Sequence, residues 1–188
     1  MSTVLYMSMS LDGFVTGPNV RPDNGLGDGG ERLHEWSFDG STEVHRIIYD
    51  EFMATGAIVA GRATFEPAGG WGGDHHGGVP IWIYSRREPG IDISGWPLVT
   101  YVSEVETAFA EATAAAGDRN VLVHGSTIAR LALAAGLLDE LEIHVIPVLL
   151  GQGTRLFDDL GPEHIELERT RVLEGEQDVT HVRYRVRR

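Results

Sequence analysis

Cysteine is absent from this chain of 188 residues. Its absence excludes disulfides, thiolate chemistry and cysteine-ligated zinc or iron–sulfur centres. No apolar run approaches the roughly 18 residues that a membrane-spanning helix requires. The N-terminal stretch MSTVLYMSMS lacks a basic region followed by an apolar one, so no secretory signal is predicted. We therefore expect a globular, cytoplasmic protein.

Basic residues are also scarce. The chain has 15 arginines and no lysine against 28 acidic residues, a formal net charge of −13. Because nucleic-acid-binding proteins are usually basic, no nucleic-acid partner is predicted. The exception is a basic C-terminal segment with Arg183, Arg185, Arg187 and Arg188. Its first three arginines alternate with apolar residues, which favours a half-exposed final strand over a polyanion site.

The length suits one sizeable domain, and no repeat or linker divides it, so we predict a single domain over residues 1–188. Helical patterns occupy 42–54, 104–116 and 128–138, with Ser41 or Thr42 as the cap of the first. Strand-like runs occupy 3–8, 57–60, 79–84, 98–102, 121–123, 141–148, 166–173 and 179–186. This alternation indicates an α/β fold with a mainly parallel sheet and an antiparallel C-terminal hairpin.

Two long glycine-rich loops, Thr16 to Gly40 and Glu66 to Gly78, interrupt these patterns. Loops of this length inside a compact domain are usually functional. The second contains Asp74, His75 and His76, but adjacent histidines are poorly spaced for a rigid metal site. We predict no metal and interpret the stretch as a solvated loop.

Polar turns follow three predicted strands. Their residues are Gly61-Arg62-Ala63-Thr64, Ser85-Arg86-Arg87 and His124-Gly125-Ser126-Thr127. In open α/β sheets, ligands bind beyond the carboxyl ends of strands. Arginine matches phosphate oxygens, and a small-residue turn admits an anion to the first N–H groups of a helix. Together the turns favour a phosphate or dinucleotide site, although each alone is equally a plain connection.

An ordered set of short segments resembles the dihydrofolate reductase-like family. The nearest branch is the reductase domain of the bifunctional riboflavin-biosynthesis enzyme and its stand-alone bacterial relatives. The matching segments are SLDGF (10–14), AIVAGRATFE (57–66), IYSR (83–86), VLVHGS (121–126), GLLDEL (136–141) and IPVLLGQG (146–153). They follow the family's order over nearly the whole chain.

The resemblance implies a three-layer α/β/α fold and an NADPH-dependent reductase. It places the 2′-phosphate or pyrophosphate at Gly61, Arg62, Ala63 and Thr64. It places the adenosine side at Ser85, Arg86 and Arg87, and the pyrophosphate at Gly125, Ser126, Thr127 and Ile128. The chain departs from the family at His124-Gly125-Ser126, where relatives usually carry consecutive glycines.

Dihydrofolate reductases carry a carboxylate on the first helix, and its place falls near His45 and Tyr49 here. The absence of a carboxylate there argues against dihydrofolate as the natural substrate. His45 and Asp12 are the candidate proton donors, although Asp12 is equally a turn residue that bonds its own backbone. Trp36, Leu150 and Gly151 are predicted to wall the substrate pocket.

We therefore expect hydride transfer to a small pterin-like or pyrimidine-like heterocycle, with the protein supplying orientation and a proton. Two alternatives remain open at the level of sequence. One is an NADP-binding module without efficient turnover, and the other is a hydrolase using His124 and Ser126. Relatives are often dimers, so a homodimer is also expected.

Overall fold

The computed structural model describes residues 1–38, 40–161 and 164–187. The strands are β1 (Thr3–Ser10), β2 (Phe14–Thr16), β3 (Ala57–Gly61), β4 (Ile81–Tyr84), β5 (Val99–Val102), β6 (Val121–His124), β7 (Glu140–Ile146), β8 (Thr154–Arg155), β9 (Leu167–Glu174) and β10 (Thr180–Val186). The α-helices are α1 (Glu43–Met53), α2 (Arg62–Phe65), α3 (Val105–Ala116) and α4 (Ser126–Ala134). Short 3₁₀ helices occupy Gly30–Leu33, Glu35–Ser37, Gly69–Gly73 and Glu176–Asp178.

Eight strands form one sheet in the order β5-β4-β3-β6-β1-β7-β10-β9, and β2 pairs with β8 beside it. The strands from β5 to β7 in this order are parallel, whereas β10 runs antiparallel to both β7 and β9. The α/β fold with a mainly parallel sheet and an antiparallel C-terminal hairpin is therefore confirmed. Parallel pairing brings the carboxyl ends of β1, β3, β4 and β6 to one edge of the sheet.

Helices cover both faces of this sheet, because alternate strand residues point to opposite sides. On one face, Phe109 of α3 and Ile128 of α4 pack into a core with Val59 and Val121. On the other, Phe52 of α1 packs against Tyr6 of β1, with ring centroids 4.6 Å apart and the rings tilted by 38°. Every residue of β3 is buried. No helix within the described residues is long and apolar enough to cross a membrane.

Helix α1 begins at the predicted cap. The Thr42 hydroxyl accepts a hydrogen bond from the His45 amide at 3.2 Å, which satisfies one of the free N–H groups at the helix start. The cap fixes where the helix starts, and therefore which of its residues face the sheet edge.

Two of the C-terminal arginines are paired with carboxylates. Arg183 pairs with Glu51 and Glu140, and Arg185 pairs with Glu168. Both lie on β10, which confirms the half-exposed strand, whereas Arg187 lies exposed just beyond its end. Arg188 lies outside the described residues.

Candidate active site

A cavity of about 950 Å³ lies at the sheet edge where the parallel strands end. It is lined by all but one of the residues predicted to bind the cofactor: Gly61, Arg62, Ala63, Thr64, Ser85, Arg86, Arg87, Gly125, Ser126 and Thr127. The three turns are separated by tens of residues in sequence and meet because β3, β4 and β6 are neighbours in the sheet. The geometry is that of a ligand crevice in an open α/β fold.

The turn after β6 forms a close-fitting cradle. Gly125 precedes α4 with φ +110°, and a Cβ there would lie 2.2 Å from Thr64 Oγ1. No side chain caps the N-terminus of α4, so its first N–H groups are free to bind an anion. The Gly125 amide donates to Met7 Sδ at 3.2 Å, which ties the turn to β1. These residues fit the pyrophosphate of a dinucleotide.

The arginines of the first two turns differ in whether their guanidinium groups are already paired with a carboxylate. Arg62 donates to Glu66 at 2.9 Å, and the Glu66 carboxylate also accepts from the Tyr101 hydroxyl and the Gly90 amide. Arg86 and Arg87, by contrast, are exposed and make no ion pair within the described residues. The two free guanidinium groups are therefore the better placed to take a phosphate.

The turn that carries these two arginines is held by its own serine. The Ser85 hydroxyl donates to the Arg87 carbonyl at 2.7 Å and accepts from the Arg87 amide at 3.1 Å. These bonds hold the backbone at the exit of β4 while leaving both guanidinium groups in solvent.

Rings line the rest of the cavity. We call them the aromatic wall, and its members are Tyr6, Trp36, Phe52, Trp71, His75 and His124. The wall is continuous on its Phe52 side: Phe52 lies 4.6 Å from Tyr6 and 5.6 Å from His75, and His75 lies 4.3 Å from Trp71 (ring centroids). Trp36 is fixed by donating its indole N–H to the Ser8 hydroxyl at 3.0 Å. Such a surface suits a flat, conjugated ring.

Three histidines that line the cavity, His34, His75 and His124, are held uncharged. Burial lowers the pKa of His124 to about 3 and that of His75 to about 4, with repulsion from neighbouring imidazoles acting in the same direction. Burial also lowers the pKa of His34, which lines the same cavity. Among the described residues that line the cavity there is no carboxylate. The aromatic wall therefore carries no fixed charge at neutral pH.

The two helix residues predicted near the family's carboxylate position do reach the cavity. His45 and Tyr49 both line it, and their rings stack with centroids 6.2 Å apart. His45 also stands edge-on to Trp36 at 6.0 Å. Trp36, predicted as a wall residue, lines the cavity and is only 6% exposed.

Asp12 does not line the cavity. Its carboxylate accepts from the Ser10 hydroxyl at 2.6 Å, the Gly151 amide at 2.7 Å and the Leu150 amide at 3.1 Å. The hydrogen bond from Ser10, followed by those from the two amides, holds the pKa of Asp12 below its usual range. These hydrogen bonds join the end of β1 to the turn after β7, so the structure places the candidate acid Asp12 outside the cavity lining and in the position of a turn residue.

We expect Asp12→Ala to lower the melting temperature at neutral pH and to leave NADPH affinity unchanged. The folded pKa is depressed, so the stabilisation is present above the unfolded pKa and is lost as the pH falls through the folded value. Melting curves of both proteins over a pH series should therefore converge in acid. Loss of NADPH oxidation with an unchanged melting temperature would instead restore a role for Asp12 in the cavity.

Three other predicted site residues lie elsewhere. Leu150 packs against the core beside Leu33 and Trp36, and Gly151 is engaged with Asp12, so neither lines the cavity. Ile128, on the sheet-facing side of α4, is fully buried in the core. The apolar side chains of Leu150 and Ile128 place them in or against the core, and Gly151 belongs to a turn. Thr16 and Thr154 line the cavity instead.

The interpretation of Asp74-His75-His76 as a solvated loop is wrong. His76 is 5% exposed, and its Nε2 bonds the Phe52 carbonyl at 3.0 Å. The two imidazoles share a 2.7 Å hydrogen bond between their Nδ1 atoms. Among the residues that the structure describes, no cluster of potential ligands could hold a metal ion.

The hydrolase alternative finds no support in the geometry. The His124 ring donates to the Tyr6 carbonyl, and its Nδ1 has no partner among the described residues. No hydrogen bond therefore joins His124 to the Ser126 hydroxyl, and a general base must lie within hydrogen-bonding reach of its nucleophile.

Sequence reasoning missed several cavity residues, and those with rings are Tyr6, His34, Phe52, Trp71 and His75, together with Tyr84 at the end of β4. Apart from Tyr84, they divide by how they are positioned. The alternation of β1 gave a signal for Tyr6, since Tyr6 and Ser8 share one face of the strand. The other four depend on how loops and α1 fold over the sheet edge, for which the sequence carries no local signal.

Comparisons with known proteins agree with this architecture. Residues 92–181 match the family model of the RibD C-terminal domain. A candidate riboflavin biosynthesis protein of Shewanella sp. PV-4 shares the fold with a TM-score of 0.79, 18% identity and full coverage of both chains. A pyrimidine reductase-like protein of Corynebacterium diphtheriae shares it with a TM-score of 0.63, 14% identity, and coverage of 100% of this chain and 92% of that one. No curated protein matches the sequence.

Proposed function

We propose, from the match of residues 92–181 to the RibD C-terminal domain model, that the chain belongs to this family and is an NADPH-dependent reductase acting on a small heterocycle, pterin-like or pyrimidine-like. Membership would imply reductase activity, and the family typically uses NAD(P)H. The observation that carries the proposal is the cavity itself. Three turns suited to phosphates open onto the same space as an uncharged aromatic wall.

Bound NADPH would supply the hydride, and the protein supplies binding, orientation and a proton. Gly125, Ser126 and Thr127 hold the pyrophosphate, while Arg86 and Arg87 hold the phosphate that distinguishes NADPH from NADH. Tyr6, Phe52 and Trp71 provide flat apolar surface for the ring to be reduced. Burying this ring excludes water from the transfer.

His45 is the proposed proton donor. It lines the cavity on the α1 side, where no carboxylate is present among the described lining residues. The Tyr49 ring stacks on the His45 ring and keeps the imidazole in position, and its hydroxyl lies on the same side of the cavity. In this proposal the reduced ring takes up its proton from His45.

An NADP-binding module without efficient turnover is the second candidate. The observation that favours it is the carboxylate-free cavity, which lacks the acidic group that dihydrofolate reductases place on the first helix. Binding and turnover must therefore be measured separately.

The same proposal takes the chain as one cytoplasmic domain over residues 1–188 that acts on a small molecule and forms a homodimer. Neither nucleic acid nor a membrane surface is proposed as a partner, since the net charge is −13.

The test combines calorimetric titration with NADPH and NADH and a panel of oxidised pterins and pyrimidines, in which NADPH consumption is followed. We expect NADPH to bind more tightly than NADH and at least one panel compound to be reduced. His45→Ala should lower kcat by about 100-fold with little change in NADPH affinity, because a positioned acid contributes roughly that factor.

Three outcomes separate the candidates. Binding without any turnover identifies the binding module, and the absence of binding of either nucleotide rejects both. An unchanged kcat in His45→Ala, in a protein that reduces a panel compound, assigns the proton to another donor.

A further inference from the structure

His75 and His76, in the second glycine-rich loop, form a hydrogen-bonded relay with the Phe52 carbonyl. A carbonyl oxygen can only accept, so the 3.0 Å contact between Phe52 O and His76 Nε2 requires the proton on that nitrogen. A neutral His76 then presents Nδ1 as an acceptor. The 2.7 Å contact between the two Nδ1 atoms consequently requires the proton on His75 Nδ1.

This order of protons leaves His75 Nε2 as a bare acceptor. No hydrogen-bond partner for it occurs in the part of the chain that the structure describes, and the residue is partly exposed in the cavity lining. The neutral state that the relay requires agrees with the lowered pKa of His75, about 4, which burial causes. The acceptor is therefore present throughout the physiological pH range.

The surroundings of His75 favour a flat ligand. Its ring lies 4.3 Å from that of Trp71 and 6.3 Å from that of His124 (centroids). His124 Nδ1 is likewise without a partner in the described residues, and its other nitrogen is committed to the Tyr6 carbonyl. The imidazoles of His75 and His124 thus both lack a hydrogen to donate to a ligand.

We propose that His75 is a specificity-determining residue, whose Nε2 accepts a hydrogen bond from a ring N–H or O–H of an uncharged planar substrate, with His76 as the positioning residue that fixes its tautomer. The inference rests on the proposed function, because it concerns the substrate side of the same cavity. A ring methylated at that position covers the acceptor and leaves it unpaired, and such sites discriminate strongly against the analogue lacking the donor.

The probes for this proposal are lumazine, which carries ring N–H donors, and 1,3-dimethyllumazine, which has the same ring system without them. We expect the full-length protein to bind lumazine about tenfold or more tightly than the dimethyl compound, the difference that one buried hydrogen bond supplies. In His75→Phe, which keeps a flat ring without nitrogen, the two affinities should agree within about threefold. His75→Gln, which retains an acceptor oxygen, should restore most of the preference.

His164→Phe is the matched control, since His164 is exposed and outside the cavity lining, and it should keep the wild-type preference. Titration of each variant with NADPH separates the two proposals. If NADPH binds normally and wild type shows no preference between the lumazines, the inference about His75 is wrong. If NADPH does not bind at all, the proposed function itself fails.

The role of His76 is tested by imidazole ¹⁵N spectra of the ligand-free protein. We expect the proton of His75 on Nδ1 in wild type and a mixture of tautomers in His76→Phe, together with a reduced preference for lumazine. A proton found on Nε2 of His75 in wild type would overturn the relay.

Discussion

Gly125→Ala is expected to weaken NADPH binding by about 10- to 100-fold, the effect of losing one or two hydrogen bonds to a charged phosphate. The added Cβ would lie 2.2 Å from Thr64 Oγ1, so the Thr64 side chain must turn away and the cradle before α4 must open. The backbone at φ +110° also disfavours any side chain, which should lower the free energy of unfolding by about 1–3 kcal/mol. Calorimetry with NADPH and chemical denaturation measure the two effects.

The matched control is Gly136→Ala, just beyond the other end of α4. Gly136 also has a positive φ, +65°, but no atom lies within 4 Å of the added Cβ. This variant should lose stability by about 1 kcal/mol and keep its NADPH affinity. Equal losses of affinity in both variants would show that strain in α4, rather than the cradle, limits binding.

Replacing Arg86 and Arg87 together by alanine should abolish the preference for NADPH over NADH. Two charge-assisted contacts to a phosphate contribute enough to lower NADPH affinity by about 100-fold or more, whereas NADH affinity should change less than about threefold. The reason is structural: both guanidinium groups line the cavity free of ion pairs within the described residues, on a turn held by Ser85. Titrations with both nucleotides at several salt concentrations measure the effect.

Two single variants test whether the effect on NADPH affinity is specific to Arg86 and Arg87. Arg62→Ala should weaken NADPH less, because the Arg62 guanidinium is already bound by Glu66 at 2.9 Å. Arg46→Ala removes a charge from the exposed side of α1, outside the cavity lining, and should change neither affinity. A larger effect at Arg62 than at the pair would place the 2′-phosphate at the first turn instead.

Motifs with a local physical cause were predicted correctly from the sequence. The strand before Gly61, the cap of α1 near Thr42 and the turn before α4 each follow from short-range preferences. Their meeting at one edge also follows, because parallel strands align their carboxyl ends. All eleven residues of the three predicted turns line the cavity.

The structure differs from the sequence-based expectations at residues whose positions depend on partners distant in sequence. Asp12 was weighed as a catalytic acid, yet its neighbours Leu150 and Gly151 are 138 and 139 positions away in sequence. His75 and His76 were assigned to solvent from their glycine-rich setting, and the Phe52 carbonyl that orders them lies on α1. Only the folded chain brings these partners together, so no local pattern could have revealed them.

The cavity is assembled from two sources that share few elements. The turns suited to phosphates leave β3, β4 and β6, whereas the aromatic wall is drawn largely from β1, α1 and the two glycine-rich loops, with His124 as the junction. Substitutions in the loops can therefore remodel which ring is accommodated without disturbing the strands whose turns are proposed to hold the nucleotide. This separation makes the protein a practical scaffold for directed evolution. Libraries confined to residues around Trp36, Trp71 and His75 should alter substrate scope and leave the proposed cofactor site unchanged.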